Sequence, residues 1–229
     1  NSETAESLKP YYRQFCKRPC FHDEYLQAFN NPNVTLVDTD GRGVEAFTER
    51  GVFANGEEYE VDCIVFATGF EVGTAFTHRA GYDVTGRGGL KLSEAWAEGM
   101  RSLHGLLVHG FPNLMITSNA QSGFTTNFPH AMDERAQHMA YLLHGLKARS
   151  AQIIEATEAG QDAWVETLLK ASRASESFQA ECTPGYYNNE GKPNPLSVQN
   201  GSYGRGPVRF FQLLEGWRDA GTFEGVEFR

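Results

Sequence analysis

The stretch EYEVDCIVFATGF (58–70) changes character half-way along. Glu58 to Asp62 alternates polar and apolar side chains, as a strand with one wet face does. Cys63-Ile64-Val65-Phe66 is continuously apolar, as a strand covered on both faces is. The run stops at Ala67-Thr68-Gly69, small residues that let a ligand approach the backbone. That is the carboxyl end of the predicted strand, where open α/β sheets bind their ligands. The plainer reading is a strand that ends in a turn.

Outward from this stretch the chain alternates strand and helix signals. NVTLVDT (33–39) predicts a short β-branched strand, and 44–66 predicts antiparallel strands with turns at Arg50-Gly51 and Asn55-Gly56. Residues 73–92 read as a Gly-rich loop, followed by a short helix over 93–98 with Ser93 as N-cap. An apolar strand over 103–116 is interrupted by HGFPN (109–113), and 117–130 is polar and rich in small residues. Residues 133–149 predict an amphipathic helix with Ala136, Met139, Ala140 and Leu143 on its buried face. A second helix over 162–178 turns Trp164, Val165, Leu168 and Leu169 inward. CTPGYYNNEGKPNP (182–195) is a long loop of turn formers, and 208–221 is a final helix.

Interleaved strands and helices predict an α/β layer architecture. A nucleotide-binding α/β domain opens with strand, Gly-rich turn and helix. Gly41-Arg42-Gly43-Val44-Glu45-Ala46 fits the dinucleotide pattern by letter, but strands follow it, so it reads as a hairpin turn. GRGG (86–89) and GSYGRG (201–206) lack the flanking strand and helix. No complete dinucleotide fold begins in these residues.

The 229 residues can bury a sizeable core, and 40% hydrophobic with 21% charged residues is ordinary for a globular protein. A net charge of −9 argues against general nucleic-acid or acidic-membrane binding. No apolar run reaches transmembrane length, and the start NSETAESLKP lacks a signal-peptide layout and an initiator Met. Four cysteines are too few for a disulfide scaffold, so reduced thiols and a cytoplasmic location are expected.

FCKRPCFHDEY (15–25) poses the chemical question. Cys16, Cys20 and His22 suggest zinc, but a second ligand pair is lacking, and there is no C-x-x-C for dithiol chemistry. No metal is expected. Ser122 lies in AQSGF, which is no hydrolase motif. Lys17 and Arg18 remain. As a solvated pair they mean little. Held by Pro19, two adjacent cations can bind a phosphate and stabilise a second negative charge.

CKRP (16–19), YLQAFNNPNVTLVD (25–38), DCIVFATGF (62–70) and GFPNLMI (110–116), in that order and spacing, resemble the Baeyer–Villiger monooxygenases. These flavoproteins insert one oxygen of O2 beside a ketone carbonyl, giving an ester or lactone. The resemblance implies FAD and NADP as cofactors and a ketone substrate. It covers less than the last half of a family member, so the glycine-rich FAD and NADP turns would lie in an N-terminal segment of the same protein or of a separate subunit. Residues 1–40 would then end the NADP-binding domain. Residues 41–180 would form the C-terminal half of the FAD-binding domain with a helical segment, and 181–229 a mobile lid loop and C-terminal helix. The implied fold is an incomplete Rossmann-type sheet set with an antiparallel meander and C-terminal helices.

By the same resemblance Arg18 is the arginine that stabilises negative charge during oxygen transfer, and Lys17 contacts NADPH. Thr68, Gly69 and Phe70 lie near FAD or the nicotinamide. Asn119, Gln121, Asn127, Phe128 and Pro129 run along the flavin, and Phe124, Thr125 and Thr126 face the substrate. The sequence departs from the family here, with Asn119-Ala120-Gln121-Ser122-Gly123 where many members have a Gly-Pro-Gly-Ser-Pro-like run. In the lid, the tryptophan that many members place near Thr183 is missing, and Tyr186, Tyr187 or Asn188 are candidates to replace it. Two other readings stay open: a related flavin enzyme that oxygenates nitrogen or sulfur, and a non-catalytic binding module on the same scaffold.

Overall fold

The computed structural model describes residues 1–14, 16–69, 76–172, 180–182, 185 and 196–229. They fall into two compact units, Asn1–Val72 and Gly73–Arg229.

The first unit opens with helix α1 (Ser2–Ser7), whose Glu3 amide is capped by the Asn1 side chain at 3.0 Å. A four-residue helix α2 (Tyr25–Ala28) follows. The meander is β1 (Ala46–Phe47), β2 (Gly51–Ala54) and β3 (Glu57–Glu60), antiparallel throughout, with Gly51 opposite Glu60 and Ala54 opposite Glu57. Asn55 and Gly56 join β2 to β3 with φ of 53° and 77°, the left-handed pair a two-residue hairpin demands. At Gly51 a Cβ would sit 2.0 Å from the Tyr59 carbonyl oxygen, so only glycine fits the pairing. Arg50 crosses the same edge to pair with Glu58 and Glu60. Gly41 and Gly43 sit in a turn closed by the Arg42 amide on the Thr39 carbonyl at 3.0 Å, and β1 follows rather than a helix.

Two predicted strands do not form. Residues 33–39 and 61–69 are outside regular structure, and 61–69 is exposed throughout. Val65 is 82% exposed and Phe66 69%. The apolar run has the composition of a covered strand. Among the described residues it has no ladder partner, and without one an extended segment is not a strand.

In the second unit, helix α3 (Phe76–Ala80) precedes a loop that leads into α4 (Leu92–Ala95). Asp83 accepts from the Ser93 amide and hydroxyl, so Ser93 lies inside the helix, and the extended Lys91 takes the N-cap position. The predicted strand over 103–116 is instead a coiled segment with isolated bridges from Leu107 to Leu103 and Met115. It is nonetheless core: Leu103, Leu106 and Leu107 pack with Leu142, Trp164, Leu168, Phe210 and Leu214, and Val108 and Phe111 with Leu92. His104 and Gly105 turn the chain with φ of 57° and 69°, which a strand cannot accommodate.

Helix α5 (Phe128–Ala148) begins earlier than its apolar pattern, because Asn127 caps it (Oδ1 accepts from the His130 amide at 3.3 Å) and Pro129 suits the first turn. Its buried residues are Ala131, Arg135, His138, Leu142 and Gly145. Of the predicted face Met139 packs half-buried against the core, but Ala136 and Ala140 are exposed and Leu143 is 48% exposed. Two polar residues occupy the buried stripe because they find bonding partners inside. Helix α6 (Glu158–Ala171), capped by Thr157, buries Trp164, Val165 and Leu168 as predicted, but Leu169 is 46% exposed. Helix α7 (Pro207–Ala220) buries Phe210 and Leu214 and stops at Gly221 in the left-handed region.

An unpredicted ribbon closes this unit. Strand β4 (Ile154–Ala156) pairs antiparallel with β5 (Val226–Phe228). Glu155, fully buried, is neutralised by Arg87 and Arg229. Asn113 of the GFPN turn staples the ribbon: its amide donates to the Ile154 carbonyl (2.8 Å), its Oδ1 accepts from the Ile154 amide (3.0 Å), and its Nδ2 donates to the Gln152 carbonyl (3.1 Å). Cys20 and Cys63 carry free, exposed thiols. Among the described residues no helix is long and apolar enough to cross a membrane.

Asn113 holds φ of 59°, so Asn113→Ala loses two side-chain hydrogen bonds and adds backbone strain. The expected cost is about 2 kcal/mol or more, read as a lower denaturant midpoint with an unchanged slope. An unchanged midpoint would remove Asn113 from the role of staple.

Candidate functional site

The cationic turn lies in the first unit. The Cys16 amide donates to the Arg13 carbonyl (3.0 Å), and the buried Cys16 side chain anchors the turn. The Lys17 ammonium stands 5.6 Å from the centre of the Tyr12 ring, and the side chain is half-buried. Arg18 is exposed, and its carbonyl accepts from the Cys20 thiol at 3.7 Å. His22 Nδ1 accepts from the Glu24 amide at 3.0 Å at the start of α2, a local backbone role. Among the described residues no group of three or more His, Cys, Asp or Glu side chains is placed to hold a metal ion.

Thr68 and Gly69 are exposed at the end of the apolar run. Gly69 has φ of 95°, and a Cβ built on it would have no atom within 4 Å, so the backbone there is open to approach. Phe70, Thr183, Tyr186 and Asn188 lie outside the described residues.

The small-residue segment belongs to the second unit. Asn119 is exposed. Gln121 is fully buried and spent internally: Nε2 donates to the carbonyls of Met100 (2.5 Å) and Gln199 (2.9 Å), and Oε1 accepts from the Ser102 hydroxyl (2.5 Å). Both amide hydrogens of its side chain are therefore spent inside the unit. The chain then surfaces. Phe124, Thr126, Asn127, Phe128 and Pro129 are exposed and Thr125 is half-buried, its hydroxyl accepting from the Asn127 amide at 3.2 Å. The presented side chains are thus Phe124 to Pro129, held between an interior anchor and the capped start of α5.

The second unit also buries polar groups that the sequence pattern did not reveal. Arg135 donates to the Ser118 carbonyl and the Ser122 hydroxyl. His104 Nδ1 and His138 Nε2 are 3.3 Å apart, and the Trp217 ring is packed against both. Burial pushes His104 down to about 3, aided by His138, and burial pushes His138 down to about 4, aided by Arg218. The available signal was DERAQH (133–138), where charged and polar residues interrupt a helical face.

No family model matches the chain. Pentalenolactone D synthase of Streptomyces arenae is 53% identical over 228 residues, which is 99% of this chain and 39% of that protein. A Baeyer-Villiger monooxygenase of Streptomyces coelicolor is 49% identical over 94% of this chain and 36% of its own length. The polycyclic ketone monooxygenase of Thermothelomyces thermophila superposes over the whole chain with a TM-score of 0.91 and 35% identity, covering 37% of that structure. The chain is a relative of the Baeyer–Villiger monooxygenases. It has the fold of their C-terminal portion and spans about two-fifths of the length of the relatives it matches. In this Baeyer–Villiger relative, 61–69 carries strand composition without a partner strand among the described residues, and the cationic turn and the presented segment sit in different units.

The histidine pair gives a pH dependence of known sign. Both folded-state values lie below 6.5, so both rings are neutral in the fold, and the unfolded chain takes up protons as pH falls through 6.5. Stability contributed above pH 6.5 is lost as pH drops toward 4, by at most about 2.7 kcal/mol per pH unit for two protons. Denaturant midpoints measured between pH 7.5 and 5 should fall, and His138→Phe should flatten the fall. Equal slopes for both proteins would contradict buried neutral rings.

Proposed function

We propose that this chain is the C-terminal part of an FAD- and NADPH-dependent Baeyer–Villiger monooxygenase. With an N-terminal FAD- and NADP-binding segment, on the same protein or a separate subunit, it inserts one oxygen of O2 beside a ketone carbonyl. The observation that carries this reading is identity near one half, over nearly the whole chain, to a Baeyer-Villiger monooxygenase. Two further relatives support the cofactors: an FAD-binding monooxygenase of Hypomyces subiculosus, 41% identical, and a steroid monooxygenase structure bound to NADP, 27% identical. The residues fit such partners. Gly69 leaves open backbone at the end of an apolar run that has no partner strand among the described residues, and the 16–20 turn offers a lysine and an arginine side by side.

The flavin, when bound, supplies the activation of O2. The residues of this chain supply charge and orientation. Arg18 holds a fixed positive charge beside the reacting carbonyl and stabilises the negative charge that its oxygen gains as the carbon becomes tetrahedral. A guanidinium stays charged at every working pH and donates in a planar fork, so a lysine is not equivalent. Lys17 is the point charge for the phosphate end of NADPH. Thr68, Gly69 and Phe70 approach the cofactors through backbone. Asn119, Asn127, Phe128 and Pro129 border the flavin. Proline has no amide to donate, so Asn127 or Phe128 provides the polar contact. Phe124, Thr125 and Thr126 line the ketone side, and the lid contributes Thr183, Tyr186 and Asn188 over NADP.

In the assembled enzyme Arg18→Ala should leave flavin reduction by NADPH intact and lower ester formation by about 10²–10³-fold, the loss typical of one preorganised donor. Retained ester formation would reject the role of Arg18. Lys17→Ala should raise the KM for NADPH about tenfold, the worth of one charge-assisted contact. An unchanged KM would reject that assignment.

A further inference from the structure

Arg135 is an anomaly in the second unit. Only 6% of the residue is exposed, and among the described residues no carboxylate pairs with it. A buried cation without an anion costs several kcal/mol unless hydrogen bonds compensate. Burial lowers its pKa only to about 10, so it is charged at neutral pH. Its guanidinium donates to the Ser118 carbonyl and the Ser122 hydroxyl, and its buried Nη1 has no partner among the described residues. The Ser122 hydroxyl in turn donates back to the Ser118 carbonyl at 2.8 Å. The charge of α5 is therefore committed to the backbone turn over 118–122 and not to the general packing of the helix.

Other contacts fix the far side of that turn. The Gln121 amide donates to the Gly201 carbonyl at 2.6 Å, the Trp164 Nε1 donates to the Gln121 carbonyl at 3.2 Å, and the Tyr203 amide donates to the Ser122 carbonyl at 2.9 Å. Gly123 is pressed against α7, where a Cβ would meet the Phe210 ring at 2.9 Å. One residue later the chain is at the surface with Phe124. The direction in which Phe124, Thr125 and Thr126 leave the interior is thus set by the turn that Arg135 ties to α5.

We propose that Arg135 is a positioning residue for ketone oxidation, holding the 118–122 turn so that Phe124 to Thr126 are presented to the substrate. This rests on the reading of 124–126 as the ketone side of the site. Both bonds leave Nη2, whose hydrogens are held in the guanidinium plane, whereas the hydrogens of a lysine ammonium rotate about its flexible stem. The guanidinium acts through the turn and needs no contact with the reacting atoms.

The test compares Arg135→Met and Arg135→Lys with the parent protein, all assembled with the N-terminal segment and loaded with FAD. Hydrogen exchange of the peptide covering 117–127 should quicken about tenfold or more in Arg135→Met, the loss expected for bonds to a charged donor. Peptides covering α6 and the C-terminal half of α7 should be unchanged. The KM for the ketone should rise by a similar factor with flavin reduction by NADPH unaltered, and Arg135→Lys should fall between Met and the parent. Unchanged exchange in 117–127 would overturn the proposal. So would loosening spread equally over α6 and α7, or loosening of the turn without any change in ketone handling. If the parent protein itself converts no ketone, the proposed function fails first, and the exchange data still decide whether Arg135 holds the turn.

Discussion

A buried carboxamide holds together the irregular half of this chain. Gln121 sits in the left-handed region, with φ of 56°, and is fully buried. Its side chain bonds the Met100 and Gln199 carbonyls and the Ser102 hydroxyl, and its backbone bonds Gly201 and Trp164. Three loops with no ladder of their own are thereby satisfied by one residue. Buried loop backbone is costly unless each polar group is bonded, and a satisfied network specifies one arrangement rather than several. Asn113 performs the equivalent service for the β4–β5 ribbon. The core of Leu103, Leu107, Trp164 and Phe210 can then close over segments that are neither helix nor strand.

This explains which parts were legible in the sequence. The β2–β3 hairpin was, because Asn55-Gly56 dictates a left-handed turn that little else tolerates. Helices α6 and α7 were, because Trp164 and Leu168, and Phe210 and Leu214, recur at helical spacing. The strand over 103–116 was misread because apolar composition reports burial and not backbone conformation; His104 and Gly105 break the extension. The face of α5 was partly misread because Arg135 and His138 look like solvent-facing residues until their partners, from distant loops, are known. The missing strands at 33–39 and 61–69 are a different matter. Their composition is right for strands, but pairing is a property of two segments, and no described segment pairs with either.

The site was legible as a set of motifs and not as a geometry. The family likeness rested on CKRP, DCIVFATGF and GFPN, and relatives matching nearly the whole chain agree with it. Within those motifs, chemistry and architecture are interleaved. Arg18 and Lys17 occupy a tight turn anchored by Cys16, whereas Asn113 and Gln121, which look equally like site residues, are consumed by the frame. The frame in turn dictates which neighbours reach the surface: Gln121 goes in, and Phe124 comes out. The cationic turn and the exposed 124–129 segment lie in separate units of this chain.

Mass spectrometry of the product formed under 18O2 tests the central claim most directly. The assembled, FAD-loaded protein would be given NADPH and a cyclic ketone. The account predicts an ester or lactone carrying one 18O atom in the ring or bridging position, with the carbonyl oxygen unlabelled. Unchanged ketone, together with labelled N-oxide or sulfoxide from an amine or sulfide offered in parallel, would contradict it.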